Sequence, residues 1–435
     1  METESHLSCV RCNQKYPLAA GGVKFTCDCG GLLDVVHDFS VLPIQDERIL
    51  KSVFLQRRWF QDARGDKSGV WRFRELVLPG LKDHEFVTRG EGNTRLYGPD
   101  LFTRTNRYIG GPYVYCKHEG ENPTGSFKDR GMTAAITYAK RSAGRIVACA
   151  STGNTAASVA SYAALAGMPA VILIPEKGVA IGKVSQSLAY GAKTVKVRGD
   201  FDAALALLLA ASEHIPGLRI LNSVNPFRLE GQKTIVWEAF EQLAWNAPDW
   251  IVVAAGNLGN GSAFGKAISE ARALGLITKT PRIAMVQAAG ANPFWGASQN
   301  GWKKCVVHAD TIASAIKIGD PVNYDKAVRA ITSTDGVVVQ VTDQEIMDAK
   351  AILDSDGVGA EPSSCAAIAG LKKMVDVGVA KWNQTVLVVL TGHMLKDPDA
   401  TVGYHSSSLP NLTFSHANAP VTIDPTVEAF KKIIT

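Results

Sequence analysis

Lys128 sits in the run Asn122-Pro123-Thr124-Gly125-Ser126-Phe127-Lys128-Asp129-Arg130-Gly131, where turn residues give way to helical ones. Pro123 and Gly125 resist helix, whereas Met132, Ala135, Ile136 and Ala139 recur at helical spacing, so a helix is expected to begin near Ser126. Ser126 and Asp129 have the spacing of a capping box. Lys128 then falls in the first turn, where the helix dipole disfavours a cation by about 0.3–1 kcal/mol. A neutral lysine amine is the form that attacks an aldehyde. The plain alternative is a solvated surface lysine.

Four other turns carry groups able to hold a ligand beside such an amine. Ser151-Thr152-Gly153-Asn154-Thr155 offers hydroxyls and an amide; Asn154 can bond a ligand oxygen or cap a helix. Gly256-Asn257-Leu258-Gly259-Asn260-Gly261 has the setting in which backbone amides and a helix dipole bind phosphate, although it lacks both the dinucleotide and the P-loop spacings. The alternative there is a tight turn. Asn222-Ser223-Val224-Asn225-Pro226-Phe227-Arg228 collects two amides, a hydroxyl and a guanidinium, either a second phosphate site or turn chemistry with a surface arginine. Thr391-Gly392-His393 adds a hydroxyl at the end of an apolar run.

These turns need a framework, and hydrophobic periodicity supplies one. Strands are expected over Tyr113–Lys117, Arg145–Ala150, Ala170–Pro175, Thr194–Val197, Arg219–Leu221, Trp250–Ala255, Ile283–Gln287 and Thr385–Leu390. Between them, helices are expected over Thr155–Ala166, Val179–Tyr190, Phe201–Glu213, Arg228–Trp245, Ser262–Leu274, Asp343–Leu353 and Ser363–Val377. Apolar strands alternating with amphipathic helices imply an α/β fold with parallel sheets covered on both faces. In such sheets ligands gather at the carboxyl ends of the strands, and each of the polar turns lies at one.

The composition bounds the function. At 435 residues, 46% hydrophobic and 20% charged, the chain can bury a large core. A net charge of +5, spread along the chain, does not argue for nucleic acid and suits small anionic ligands. No basic segment with an apolar core opens the sequence and no apolar run reaches membrane-spanning length, so a cytoplasmic protein without membrane partners is expected. Four of the eight cysteines crowd the first thirty residues. Cys9, Cys12, Cys27 and Cys29 flank Pro17 and a Gly21-Gly22 turn and resemble a zinc ribbon, though the second pair is one residue short. Both a structural zinc site and a metal-free ribbon remain open. The expected division is a ribbon-like extension at 1–38, a helical arm or cap at 39–90, a large domain at 91–140 and 232–435, and a small one at 141–231.

Lysine, phosphate cradle and strand-end hydroxyls together are what pyridoxal 5'-phosphate needs. The stretch Lys117 to Met132 resembles the lysine motif of the threonine synthases. Glu91-Gly92-Asn93-Thr94, Ser151–Thr155, Asn222–Arg228, Gly256–Gly261 and Thr391–Asp397 follow in that family's order over most of the chain. Arg95 stands where proline is usual, and Met394 replaces a glycine.

The resemblance implies the tryptophan synthase β type of fold, a homodimer, and Lys128 as the residue forming the imine with the cofactor. It further implies that Asn154 bonds the cofactor's 3-oxygen, that Gly256, Asn257, Leu258, Gly259 and Asn260 cradle its phosphate, and that Thr391 faces its ring nitrogen. Ser151, Asn154, Thr155, Asn222, Ser223 and Arg228 match the positions that hold the substrate, O-phospho-L-homoserine. The implied activity is a carbon–oxygen lyase acting on a phosphate, which yields L-threonine. A sister lyase or deaminase giving a 2-oxo acid is the nearest alternative, and a non-catalytic amino-acid-binding regulator is a more distant one.

Overall fold

β-Branched and small apolar residues run in short blocks, and in the computed structural model, which describes residues 5–19, 24–176 and 184–434, these blocks become strands. In chain order they are β1 (Ser5–Cys9), β2 (Lys15–Pro17), β3 (Leu33–His37), β4 (Leu96–Tyr97), β5 (Tyr113–His118), β6 (Ile146–Ala150) and β7 (Ala170–Pro175). There follow β8 (Lys193–Val197), β9 (Leu218–Ile220), β10 (Trp250–Ala254), β11 (Arg282–Ala288), β12 (Val337–Val341) and β13 (Thr385–Leu390). The larger sheet has the order β12-β11-β10-β13-β5-β4, and the smaller β8-β7-β6-β9. All neighbours are parallel except β4, which closes one edge antiparallel to β5. The fold is α/β.

β10 shows why the sheet is parallel. Its residues Trp250 to Ala254 are buried along their whole length, as a strand covered by helices on both faces must be. Val252 pairs with Ala284 of β11 on one side and Val388 of β13 on the other.

Strand and helix positions follow the sequence patterns closely, with informative exceptions. Val337–Val341 forms the edge strand β12, which periodicity did not single out. The expected helix Arg228–Trp245 is two, Phe227–Gln232 and Thr234–Gln242. Thr234 Oγ1 donates back to the Gly231 carbonyl at 2.6 Å, and Val236 N reaches Lys233 O in a tighter 3₁₀ turn, so the ladder is interrupted there. Of the expected helix Val179–Tyr190, Ser185–Ala189 is helical and the part before residue 184 lies outside the described residues, as does the Gly21-Gly22 turn.

The segment after the ribbon carries a helix, Glu47–Phe60, capped by Asp46 through Arg48 N at 2.7 Å. Its downstream turn buries Trp71 and Phe73 in the same core as Ile235, Trp237 and Phe240. Trp71 stacks on Phe86 at 4.3 Å between ring centres. Behind this core lies a buried ion cluster. Arg130 forks onto Glu119 through Nε and Nη2, both at 2.7 Å, and reaches Glu238 at 2.9 Å. Glu238 also takes Lys117 at 2.5 Å and Arg72 at 3.2 Å. The cluster joins the end of β5, the helix Lys128–Arg141 and the helix Thr234–Gln242.

β1, β2 and β3 form a small antiparallel sheet, β2-β1-β3. It docks through β3: His37 Nε2 lies 2.7 Å from Glu230 Oε2, Lys326 Nζ donates to Leu33 O at 2.7 Å, and Arg329 pairs with Asp34 at 2.6 Å.

Candidate active site

The carboxyl ends of β5, β6, β9, β10 and β13 open into one cavity of about 1320 Å³. Every candidate residue read from the sequence lines it: Lys128, Ser151, Asn154, Thr155, Asn222, Ser223, Arg228, Gly256, Asn257, Leu258, Gly259, Asn260 and Thr391.

Lys128 is the first residue of the helix Lys128–Arg141. The turn before it depends on Gly125, whose φ of +86° is left-handed and where a Cβ would stand 2.9 Å from Lys396 Cε. The turn is stitched to the end of β13: Phe127 N donates to Thr391 O at 3.0 Å, and His393 N to Gly125 O at 2.9 Å. The expected capping box does not form. Asp129 instead turns back to accept from Thr124 N at 2.7 Å and Thr124 Oγ1 at 2.6 Å, and from Ser158 Oγ at 2.6 Å. Ser126 Oγ accepts from Lys128 N at 3.4 Å. Burial raises the Asp129 carboxyl to about 6 even against these bonds.

The Lys128 amine is depressed to about 7, by burial first and by the charge of Arg228 second, with Glu361 opposing. A good part of the population is therefore the neutral nucleophile at neutral pH. Burial is the larger cause.

Arg228 is brought there by a close helix crossing. A Cβ on Gly231 would run into the Arg130 carbonyl, and one on Gly131 would stand 3.0 Å from the Arg228 carbonyl. The two bare backbones let the lysine helix and the helix Phe227–Gln232 touch. The Arg228 guanidinium is buried, and among the described residues no carboxylate pairs with it. Nη1 donates to Leu221 O at 3.2 Å, Nε has no partner, and burial lowers its pKa to about 10. A buried cation in this state is costly unless an anion joins it.

The loop after β10 supplies a second anion site. Leu258 is left-handed, φ 62°, and the helix Gly259–Ala273 begins directly after it, so its first amides face the cavity mouth without intrahelical acceptors. A Cβ on Gly256 would stand 3.0 Å from Ile316 Cα. Asn323 ties this loop to the Arg228 loop, its Nδ2 donating to Ser223 O and Asn257 O, each at 3.2 Å. Such a cradle fits a phosphate group and, with the Lys128 amine, the donor set suits pyridoxal 5'-phosphate.

Other side chains take structural bonds. Asn154 Nδ2 donates one N–H to Glu361 Oε2 at 3.0 Å, leaving its second N–H for a ligand oxygen. Thr391 Oγ1 lies 2.9 Å from Ser364 Oγ. Asn222 pairs both side-chain atoms with the Ala150 backbone, at 3.0 and 2.9 Å, so it braces the β6 loop while lining the cavity. Glu91 and Thr94 lie off the cavity wall: Glu91 accepts from Tyr162 Oη at 2.8 Å, and Thr94 donates to Glu119 at 2.7 Å.

Sequence reading passed over Glu361 and Gln232. Glu361 is buried against Asn154, and its carboxyl is raised by that burial. The signal was present in Glu361-Pro362, an acid immediately before a proline at a helix start. Gln232 stands four residues after Arg228, hence on the same helix face, and donates to Asn260 Oδ1 at 2.8 Å. Nothing local marked Asn323.

The family model for pyridoxal-phosphate dependent enzymes matches residues 87–392. Over 435 residues, covering 99% of this chain and 98% of the other, the sequence is 41% identical to the threonine synthase of Methanosarcina acetivorans. It is 40% identical over 400 residues to that of Methanocaldococcus jannaschii, covering 91% of this chain and 93% of the relative. The crystal structure of threonine synthase from Escherichia coli superposes with a TM-score of 0.70 across 99% of both chains, at 19% identity, a likeness of fold alone.

Proposed function

The chain belongs to the family of pyridoxal-phosphate dependent enzymes, and we propose that its cavity converts O-phospho-L-homoserine and water into L-threonine and inorganic phosphate. Threonine synthesis is the activity named for its full-length relatives, and the enzyme is a lyase. The observation that carries the substrate choice is Arg228, a buried guanidinium without a carboxylate partner among the described residues, facing the cavity that holds the depressed Lys128 amine.

The roles divide as follows. Gly256 to Asn260 would hold the cofactor phosphate, and Asn154 and Thr391 would bond its ring. When bound, the cofactor withdraws electrons from the substrate's α carbon. Lys128 Nζ, in its neutral form, takes the proton from Cα and then moves the proton at Cβ, a general acid–base role. Arg228 holds the substrate phosphate with Ser151, Thr155 and Ser223, and stabilises the charge that grows as the C–O bond at Cγ breaks. Asn222 keeps Ser151 in place through Ala150. Thr391, held by Ser364 at 2.9 Å, would offer the cofactor's ring an uncharged hydroxyl in place of a carboxylate.

Among the described residues no helix is long and apolar enough to cross a membrane. A cytoplasmic homodimer acting on this small molecule, without nucleic-acid or membrane partners, completes the reading; light scattering and cell fractionation test it. The division into a large domain (91–140 and 232–435) and a small one (141–231), with the 39–90 segment as a cap, is likewise our reading.

Incubation of the cofactor-loaded protein with O-phospho-L-homoserine tests the function. Threonine and phosphate should appear in equal amounts. Release of 2-oxobutyrate in place of threonine would move the activity to the sister deaminases.

A further inference from the structure

The cysteines of the N-terminal ribbon lie apart from the cavity and take no part in its chemistry. Cys9 closes β1, Cys12 follows in a turn, and Cys27 and Cys29 sit in the turn before β3. None of the four is in a disulfide. Their sulfurs all lie within 4.8 Å of one another, with Cys9 Sγ 3.4 Å from Cys29 Sγ and Cys12 Sγ 3.6 Å from Cys27 Sγ. Four thiolates about 2.3 Å from one ion in a tetrahedron stand about 3.8 Å from each other. The two knuckles therefore already present that figure.

The shortened second pair is accommodated by the glycines behind it. Gly30 is left-handed, φ +80°, and its N–H donates to Cys27 O at 2.8 Å, so the chain turns back directly after the pair. A Cβ on Gly31 would stand 2.6 Å from Cys9 Sγ, so only glycine lets the first pair's sulfur approach the second. Around the sulfurs stand donors: Arg11 N lies 3.4 Å from Cys9 Sγ, and Tyr16 Oη 3.1 Å from Cys27 Sγ. Donors of this kind orient and stabilise metal thiolates.

We propose that Cys9, Cys12, Cys27 and Cys29 hold one zinc ion as a closed, structural S₄ site. Four soft thiolates in a tetrahedron select zinc over the hard cations and leave no open position for catalysis. The ion pins the loops at one end of the ribbon, whose strand β3 braces Glu230 on the helix that carries Arg228.

Elemental analysis of the full chain, purified with reductant and without added chelator, should find one zinc per chain. Mercurial titration of the thiols should release that zinc to a colorimetric chelator, and replacement by cobalt should give the intense visible absorption of a tetrahedral thiolate site. The double variant Cys12→Ser, Cys29→Ser, at the two exposed ligands, should lose the metal and melt at lower temperature. The titration and the cobalt spectrum use the unsubstituted chain, so they hold even where the variant fails to fold. Metal-free protein that takes up no added zinc while all four thiols remain open to alkylation would overturn the site; so would native disulfides among the four, or iron in place of zinc.

Discussion

Lys128 and Arg228 are two cations in one cavity, and each is displaced from its ordinary state by the same burial. The lysine responds by giving up its proton near pH 7, whereas the guanidinium, depressed to about 10, keeps its charge and awaits an anion. Lys128→Ala should remove the visible cofactor band and lower turnover by at least about 10²–10⁴-fold, the range for a lost acid–base group, read from threonine release. In the cofactor-free chain, the rate at which Lys128 captures an aldehyde should climb as pH passes about 7 and level off above it. Stability follows the same group. The unfolded chain keeps that lysine protonated to about pH 10.4, so above about 7 it binds more protons than the folded one, and the group's contribution to stability rises from pH 7 towards 10. Arg228→Met should raise resistance to urea by about 1–4 kcal/mol, because it replaces a buried charge that has no carboxylate among the described residues with an apolar stem. The same variant should lose the added thermal protection that phosphate gives the parent protein, and its KM for the substrate should rise.

At the scale of elements, the cavity rests on one helix crossing. The lysine helix and the arginine helix meet through Gly131 and Gly231, and there the absence of a side chain sets the distance between the two functional cations. Gly231→Ala should push the helices apart, with a loss of about 1–3 kcal/mol in urea unfolding from overpacking. It should also lower kcat, since a displaced lysine no longer reaches the carbon it deprotonates. The backbone links from the lysine turn to Thr391 and His393 explain how residues 263 positions apart come to one site: the end of β13 serves as the template for the turn.

Across the whole molecule, the two parallel sheets aim their carboxyl ends at one space, and the ion cluster around Glu238 keeps the elements behind that space in register. Arg130, Lys117 and Arg72 all converge on Glu238 without solvent. Glu238→Gln would leave three buried cations short of a partner, and a loss of about 3–5 kcal/mol is expected in equilibrium unfolding, with Lys128 chemistry itself retained in the fraction that folds.

The sequence by itself determined the α/β class and most strand and helix positions, because apolar periodicity and glycine or amide turns are local signals, and its resemblance to the threonine synthases pointed to thirteen of the residues that line the cavity. Thr385–Leu390 is a strand by composition alone, and Gly256–Gly261 a strand-end loop by its glycines. Only the tertiary structure decided the electrostatics. Whether Lys128 is neutral depends on what covers it, and whether Arg228 lacks a carboxylate depends on chain segments far away in sequence. Asp129 pairs with Thr124 and Ser158 in place of the capping box because a buried carboxylate takes the donors that packing offers. Asn222 turned out to brace Ala150, and Glu361 entered the site from a helix start read only for its periodicity. Burial and long-range pairing belong to the folded chain, and no window of neighbouring residues contains them.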